Sequence, residues 1–197
     1  MIEPIKKKLF VDVETTGLDS RTCSIWQLAY IIDIDGQAVQ TSNLRITPPA
    51  TRQWDKAALT MQHAWLKQHS TNAGALCYDP SVALDKLKAD LDKVVDRFDY
   101  NDKLAFIGYN ARFDWDFVFA WCEMLGFPYF GSYCSFPPID VAALCFMAEP
   151  NKWLESRKHK LGDAARVFGV DVDALDLHDA MTDVKLTRDL YYKAGGS

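Results

Sequence analysis

The hydrophobic and polar positions at the start of the chain predict three strands. Residues 8–13 form a short apolar run rich in β-branched side chains, and it ends at the turn-like cluster Thr15-Thr16-Gly17. Residues 25–34 form a second run, and the hairpin-favouring dipeptide Asp35-Gly36 separates it from a polar-alternating run over residues 38–46. We therefore expect a three-stranded antiparallel meander.

Helical and strand patterns alternate along the rest of the chain. Residues 54–67 form a weakly amphipathic helical stretch before a polar loop near residues 70–74. Asp79 suits the N-cap and Pro80 the first position of the next helix. Its apolar positions recur on one predicted face: Leu84, Leu87, Leu91, Val94 and Phe98.

Two further strands and three further helices follow from the same periodicities. Residues 104–109 predict a buried strand, a short strand precedes Asp140, and helices are expected near residues 111–125, 161–168 and 179–193. The first of these helices carries Phe113, Phe117, Trp121 and Leu125 on one stripe, and the last carries Ala180, Val184, Thr187 and Tyr191. The pattern indicates an α/β fold with a mixed sheet flanked by helices, in a single domain over residues 1–194 with a flexible tail at 195–197.

Composition narrows the class of protein. A chain of 197 residues that is 49% hydrophobic and 25% charged can bury a core without disulfides or a structural metal. Five scattered cysteines favour a reducing cytoplasm, and the longest apolar stretch, residues 141–148, is too short to cross a membrane. The net charge of -5 excludes a broad basic DNA-binding face but does not exclude an acidic enzyme that recruits metal ions.

Two carboxylates at the end of the first strand are the first candidates for chemistry. Asp12 and Glu14 are two residues apart, so both lie on one face of the strand. Like charges this close raise a pKa or require a cation, and hard divalent ions prefer such oxygen ligands. A solvent-facing strand end is the alternative interpretation.

Three motifs identify a resemblance to a known superfamily. The segment Phe10-Val11-Asp12-Val13-Glu14-Thr15-Thr16-Gly17-Leu18 resembles the first motif of the DEDD 3′-to-5′ exonucleases, which include polymerase proofreading subunits and RNase T. The later motifs match in order at Asn110-Ala111-Arg112-Phe113-Asp114 and His178-Asp179-Ala180-Met181-Thr182-Asp183, with intermediate matches at Ile139-Asp140 and residues 161–169. A histidine five places before the last aspartate is typical of the histidine subclass.

The resemblance implies a ribonuclease H-like fold and a two-metal hydrolysis of phosphodiester bonds. The implied ligands of two Mg²⁺ or Mn²⁺ ions are Asp12, which bridges them, Glu14, Asp114 and Asp183. His178 is the implied general base, and an imidazole with an ordinary pKa of about 6.5 suits neutral pH. The residues implied to contact the terminal nucleotide are Thr15, Thr16, Gly17, Leu18, Asn110 and Phe113.

The spacing of the last motif adds an expectation of its own. Five residues turn a helix through about 500°, so His178 and Asp183 do not share a helix face. We expect the histidine in a loop before the helix and the aspartate in its first turns. Asp114 lies about 100° around its own helix from the Phe113 stripe, which allows it to reach a cleft at the end of the sheet.

The expected substrate is the 3′ end of a nucleic acid, with single-stranded DNA favoured and RNA trimming as the alternative. Any polymerase partner is expected to be a separate protein. A catalytically inactive adaptor would have lost a ligand, and none of the five positions is lost. Phosphatase, redox and zinc proteins are disfavoured because the sequence lacks a glycine-rich phosphate loop and paired cysteines. The basic run Arg157-Lys158-His159-Lys160 and His63 have no assigned role.

Overall fold

The fold is known from a computed structural model that describes residues 5–68, 77–156, 159–173 and 175–196, with the side chains of 64–68 and 156 excepted. Its centre is a mixed five-stranded sheet in the order β3-β2-β1-β4-β5. The strands are β1 (Lys7–Thr15), β2 (Ile25–Ile34), β3 (Gln37–Arg45), β4 (Leu104–Gly108) and β5 (Cys134–Asp140). β1, β2 and β3 pair antiparallel, as the sequence predicts, whereas β4 and β5 join parallel to β1.

The turn between β2 and β3 has the backbone that its dipeptide predicts. Asp35 and Gly36 have φ angles of 50° and 81°, the left-handed values that a two-residue hairpin requires at both positions. The Gly36 amide donates to the Asp33 carboxylate at 2.9 Å. The hairpin therefore fixes the register of the meander.

Helices cover both faces of the sheet. Within the described residues they are α1 (Lys56–Gln68), α2 (Pro80–Leu91), α3 (Ala111–Met124), α4 (Val141–Ala148), α5 (Pro150–Ser156), α6 (Leu161–Val167) and α7 (Ala180–Lys193). α2 and α3 pack with one face into a core that includes Leu84, Val118 and Trp121. α4, α5, α6 and α7 pack on the other face, where Val184 and Leu190 are fully buried. This arrangement confirms the α/β prediction.

One expected position on α2 is wrong. Asp79 caps the helix by accepting from the Ser81 amide at 2.9 Å, but the helix ends at Leu91. Phe98 is 85% exposed instead of facing the core. The reason is local, because the Asp96 carboxylate accepts from the Phe98 amide and the Asp102 carboxylate from the Asp96 amide, which stabilises turns in place of helix.

α4 and α5 have no counterpart in the sequence-based assignment. The α4 segment is apolar at nearly every position, so it lacks the periodicity that distinguishes helix from strand. Asp140 starts the helix by accepting from the Ala142 amide at 2.9 Å. That cap lies at the end of β5, so strand and helix join without a loop.

α7 is fastened to β2 near its C-terminal end. The fully buried Asp33 carboxylate accepts from Arg188 Nε and from the Tyr192 hydroxyl, both at 2.9 Å. The same arginine donates to the Gly36 carbonyl at 2.9 Å. These bonds tie the helix to the hairpin end of the strand.

The remaining expectations concern the chain's loops and end. The expected polar loop at residues 70–74 and Ser197 lie outside the described residues. The amides of Gly195 and Gly196 donate to the Tyr192 and Tyr191 carbonyls. All five cysteines are free. Among the described helices, none combines the length and apolar character needed to cross a bilayer.

Candidate active site

β1 presents two carboxylates on the face of the sheet that α7 covers. Val11 and Val13 point into the core beneath α2 and α3, whereas Phe10 packs in the core beneath α7. Because side chains alternate along a strand, Asp12 and Glu14 share the Phe10 face. They lie at the C-terminal end of β1, where the parallel strand β4 also ends.

Asp114 reaches the same end of the sheet from the first turn of α3. Its side chain is buried, and its Oδ1 atom accepts from the Val13 amide at 3.0 Å. Gly108, the last residue of β4, leaves room for it, because a Cβ there would lie 3.2 Å from Asp114 Oδ2. α3 can therefore begin close against the sheet.

The turn before α3 depends on a further carboxylate. Asn110 has a left-handed φ of 62° at the N-cap of the helix. Asp140 Oδ1 accepts from its amide at 3.0 Å and also from the Ala142 amide at 2.9 Å. A single oxygen atom therefore holds the starts of α3 and α4.

His178 and Asp183 come from the N-terminal end of α7. His178 precedes the N-cap Asp179, is exposed, and has a left-handed φ of 75°, in the loop that its spacing from Asp183 predicts. Its amide donates to Asp183 Oδ2 at 3.3 Å. One potential ligand atom from each of Glu14, His178 and Asp183 lies within 4.8 Å of the other two.

Burial and mutual repulsion raise the pKa of all four carboxylates. The pKa of Asp12 lies well above its ordinary value because the group is desolvated and faces Asp114, Asp183 and Glu14. Desolvation also raises the pKa of Asp114 well above its ordinary range, and neighbouring carboxylates add to it. The pKa of Glu14 rises to about 8 and that of Asp183 to about 6, in each case mainly through burial.

This donor set fits divalent cations. Four carboxylates supply the hard oxygen ligands that Mg²⁺ and Mn²⁺ prefer. Asp183 Oδ1 is buried and has no hydrogen-bond partner among the residues described. An oxygen atom in that position is available to a cation, and bound cations would remove the repulsion that raises these pKa values.

A pocket of about 290 Å³ adjoins Glu14. Leu18, which is 81% exposed, lines this pocket, and so does Phe113 of α3. The other lining residues are Val13, Thr15, Gly17, Trp26, Asp55, Ala57, Ala58 and Met61. Apolar walls beside a charged cluster suit a ligand with a flat ring at one end and a phosphate at the other.

Comparison with known proteins identifies the family. The model of the Rv2179c-like 3′-5′ exoribonuclease domain matches residues 7–190. The chain belongs to this family. It is a 3′-to-5′ exonuclease domain of the DEDD superfamily, as the three motifs predict. No curated protein sequence matches it.

Solved structures of exonuclease I share the fold of this exonuclease domain. Escherichia coli exonuclease I in its zinc-bound complex with single-stranded DNA is 17% identical in sequence to this chain, and the two structures superpose with a TM-score of 0.71. The match covers 94% of this chain and 39% of the exonuclease I chain. The same enzyme with a dA16 oligonucleotide is 15% identical, with a TM-score of 0.69 over 94% of this chain and 40% of that one. The domain thus spans about 40% of the length of exonuclease I, and the ribonuclease H-like fold is confirmed.

Two residues expected to contact the terminal nucleotide do not line the exonuclease pocket. Thr16 is fully buried, and its hydroxyl donates to the Gln53 carbonyl at 2.6 Å, so it holds the loop after β1. Asn110 lies at the N-cap of α3. By contrast, Thr15, Gly17, Leu18 and Phe113 all line the pocket.

Sequence reasoning missed the far wall of the exonuclease pocket. Asp55, Ala57, Ala58 and Met61 reach it from the N-cap and first turns of α1. The weak amphipathicity of that segment gave no signal for a ligand-facing side. His63 is exposed on the same helix and does not line the pocket.

The basic run is only partly visible. Arg157 and Lys158 lie outside the described residues, and Lys160 is exposed before α6. The His159 ring stacks on Trp153 at a centroid distance of 4.9 Å.

Proposed function

We propose that this exonuclease domain hydrolyses phosphodiester bonds one at a time from the 3′ end of a single-stranded nucleic acid and releases nucleoside monophosphates. The observation that carries the proposal is the convergence of Glu14, His178 and Asp183 within 4.8 Å, beside a pocket of about 290 Å³. A pocket of this size is at the lower end of the about 300–1,000 Å³ typical of small-molecule sites. It suits one terminal nucleotide rather than a duplex.

RNA is the first substrate to test. The sequence-based preference was for single-stranded DNA, but the family that matches residues 7–190 is described as an exoribonuclease domain. Exonuclease I was solved with DNA oligonucleotides, yet at 15–17% identity its likeness supports the fold alone. Single-stranded DNA is therefore the second candidate.

Four carboxylates would hold the metal ions in this proposal. Asp12, Glu14, Asp114 and Asp183 would be the ligands, and Asp12 lies close enough to the other three that each of them raises its pKa. When bound, Mg²⁺ or Mn²⁺ supplies positive charge against the oxygens of the scissile phosphate. The acidic net charge of the chain then does not oppose substrate binding at this point.

His178 is proposed to act as the general base. Its ring is exposed at the N-terminal end of α7, where a ring nitrogen can accept a proton from the attacking water and pass it to solvent. The left-handed backbone at His178 places the ring outside the helix, next to Glu14 and Asp183. The carboxylate ligands meanwhile stay fixed on β1, α3 and α7.

The pocket residues are proposed to hold the terminal base. Leu18, which is exposed, and Phe113 both line the pocket, so a flat ring can pack against apolar side chains. Thr15 donates its hydroxyl to the Gly17 carbonyl at 2.7 Å, which holds the loop that carries Leu18.

The experiment is a time course on matched 5′-labelled single-stranded RNA and DNA, with Mg²⁺, Mn²⁺ or EDTA. We expect a ladder that shortens from the 3′ end, faster on RNA than on DNA. EDTA or Asp12→Asn should abolish the shortening, and His178→Ala should slow it to a low residual rate. Asp85→Asn, an exposed aspartate on α2, is the matched control and should retain full activity. If neither strand shortens with either metal, the proposed function is wrong.

A further inference from the structure

A buried amide stands beside the candidate active site without a role in the chemistry described so far. Gln27 is fully buried in β2, and its neighbours in that strand are apolar. It is the antiparallel partner of Glu14 in β1. Because Ala29 and Ile31 of β2 lie in the core beneath α7, Gln27 also points to that side of the sheet.

The side-chain amide of Gln27 donates two hydrogen bonds, one to a carboxylate oxygen and one to an amide oxygen. Nε2 donates to Asp179 Oδ1 at 2.8 Å and to Asn43 Oδ1 at 3.1 Å. Its Oε1 is buried without a partner in the part of the chain that the structure describes. A buried acceptor without a hydrogen-bond partner destabilises a folded protein. Destabilising features of this kind occur most often at functional sites.

Asp179 connects this amide to the histidine. Its Oδ2 atom accepts from the Thr182 amide at 3.1 Å and from the Thr182 hydroxyl at 3.2 Å, so it caps α7. His178 directly precedes it, and the His178 amide donates to Asp183 at 3.3 Å. Across the described residues, no hydrogen bond holds the His178 ring, so the ring's position depends on this short stretch of backbone.

We propose that Gln27 is a positioning residue, which acts through Asp179 to hold the His178 ring beside Glu14 and Asp183. The inference rests on the proposed function of His178 as general base. The Gln27–Asp179 bond joins β2 to the N-cap of α7, and thereby sets how far the His178 loop stands from the carboxylates of β1. Without the bond, α7 keeps its packing stripe but its N-cap loses this hydrogen bond to β2.

Two substitutions break the bond in different ways. Gln27→Met keeps the length of the side chain but cannot donate. Asp179→Ser keeps a capping hydroxyl for α7 but is too short to reach Gln27. Gln40→Met is the matched control, since Gln40 of β3 donates only to Ser42 and Asp90 among the residues described, away from the site.

We expect Gln27→Met and Asp179→Ser each to lower kcat by about ten- to hundredfold, with KM changed less than about threefold, because misplaced catalytic groups cost rate rather than substrate binding. Gln40→Met should retain both constants. In a His178→Ala background, Gln27→Met should cause no further loss, since the residue it positions is absent. Equal losses in both backgrounds would overturn the proposal.

A spectroscopic readout separates this inference from the proposed function. In the NMR spectrum of protein labelled at histidine, the His178 ring signal, assigned by its loss in His178→Ala, should shift or broaden in Gln27→Met but not in Gln40→Met. An unchanged His178 signal together with unchanged kcat would refute the positioning role while leaving the nuclease intact. If the unsubstituted protein is inactive on every substrate but the signal still moves, the proposed function fails and the positioning role stands.

Discussion

Replacing Glu14 by glutamine should make the metal-free protein more stable, although it removes a proposed metal ligand. Without a cation, burial raises the pKa of Glu14 to about 8, and Asp183, Asp179 and Asp114 add to the shift. The folded state therefore either holds a proton on this group or retains a repelled charge. Glutamine has nearly the same shape and carries no charge at any pH.

The pKa shift sets the size and the sign of this effect. A rise from 4.5 to about 8 at about 1.4 kcal/mol per pH unit corresponds to an upper bound of about 5 kcal/mol. Glu14 is only partly buried, so solvent screening and coupling reduce the figure, and we expect about 1–3 kcal/mol. A raised carboxyl pKa costs nothing below the unfolded value, and its cost grows as pH rises from about 4.5 to about 8.

The assay is thermal unfolding in EDTA at a series of pH values from acid to mildly alkaline. At about 2–4 °C per kcal/mol for a chain of this length, Glu14→Gln should raise Tm by about 2–12 °C at pH 8 and by nothing measurable at pH 4. Glu123→Gln, on the exposed side of α3, is the control and should leave Tm unchanged. A Tm gain that is absent, or equal at both pH values, would refute the electrostatic reasoning.

Three further predictions concern the same end of the sheet. Mg²⁺ binding should release protons near pH 6, because the pKa of Asp183 is raised to about 6 and the metal-bound carboxylate is ionised. Calorimetry in two buffers of different ionisation enthalpy measures the number of protons released per Mg²⁺ bound, and Asp183→Asn should lower that number. Gly17→Ala should raise KM and lower Tm, since the added Cβ would collide with the Asp55 carboxylate and the Cys23 thiol; retained Tm and KM would contradict this packing. Leu18→Ala should raise KM by about tenfold, because an apolar contact with the terminal base is lost. Tm should not change, because the side chain is 81% exposed; steady-state kinetics and an unfolding scan measure the two effects.

The sequence predicts those parts of the fold whose signals are local. β1, the hairpin at Asp35-Gly36 and the stripe of α7 all follow from periodicity and turn chemistry, and the structure confirms them. The sequence does not predict α4, because its residues are apolar on all faces of the helix and therefore show no hydrophobic periodicity. Phe98 is misassigned because the Asp96 and Asp102 carboxylates accept backbone hydrogen bonds that stabilise turns after Leu91, and the apolar periodicity does not register these bonds.

The candidate site also has one part that the sequence predicts and another that only the structure shows. The resemblance of three motifs to the DEDD exonucleases selects Asp12, Glu14, Asp114, His178 and Asp183, and the fold brings them to the C-terminal end of β1. The part of the pocket from α1 and the hydrogen bond from the Asn110 amide to Asp140 depend on contacts between segments far apart in the chain. No local pattern carries that information, so only the structure supplies it.

The attachment of α7 to β2 makes strand and helix a single rigid frame for the chemistry. Asp179 is bonded to Gln27 near one end of the strand, and Arg188 is bonded to Asp33 near the other. A helix fastened at two points about two to three turns apart cannot tilt or slide along the sheet without breaking a buried bond. In the proposed function, adjustment to different terminal bases would therefore come from the part of the pocket that α1 contributes and not from a shift of α7.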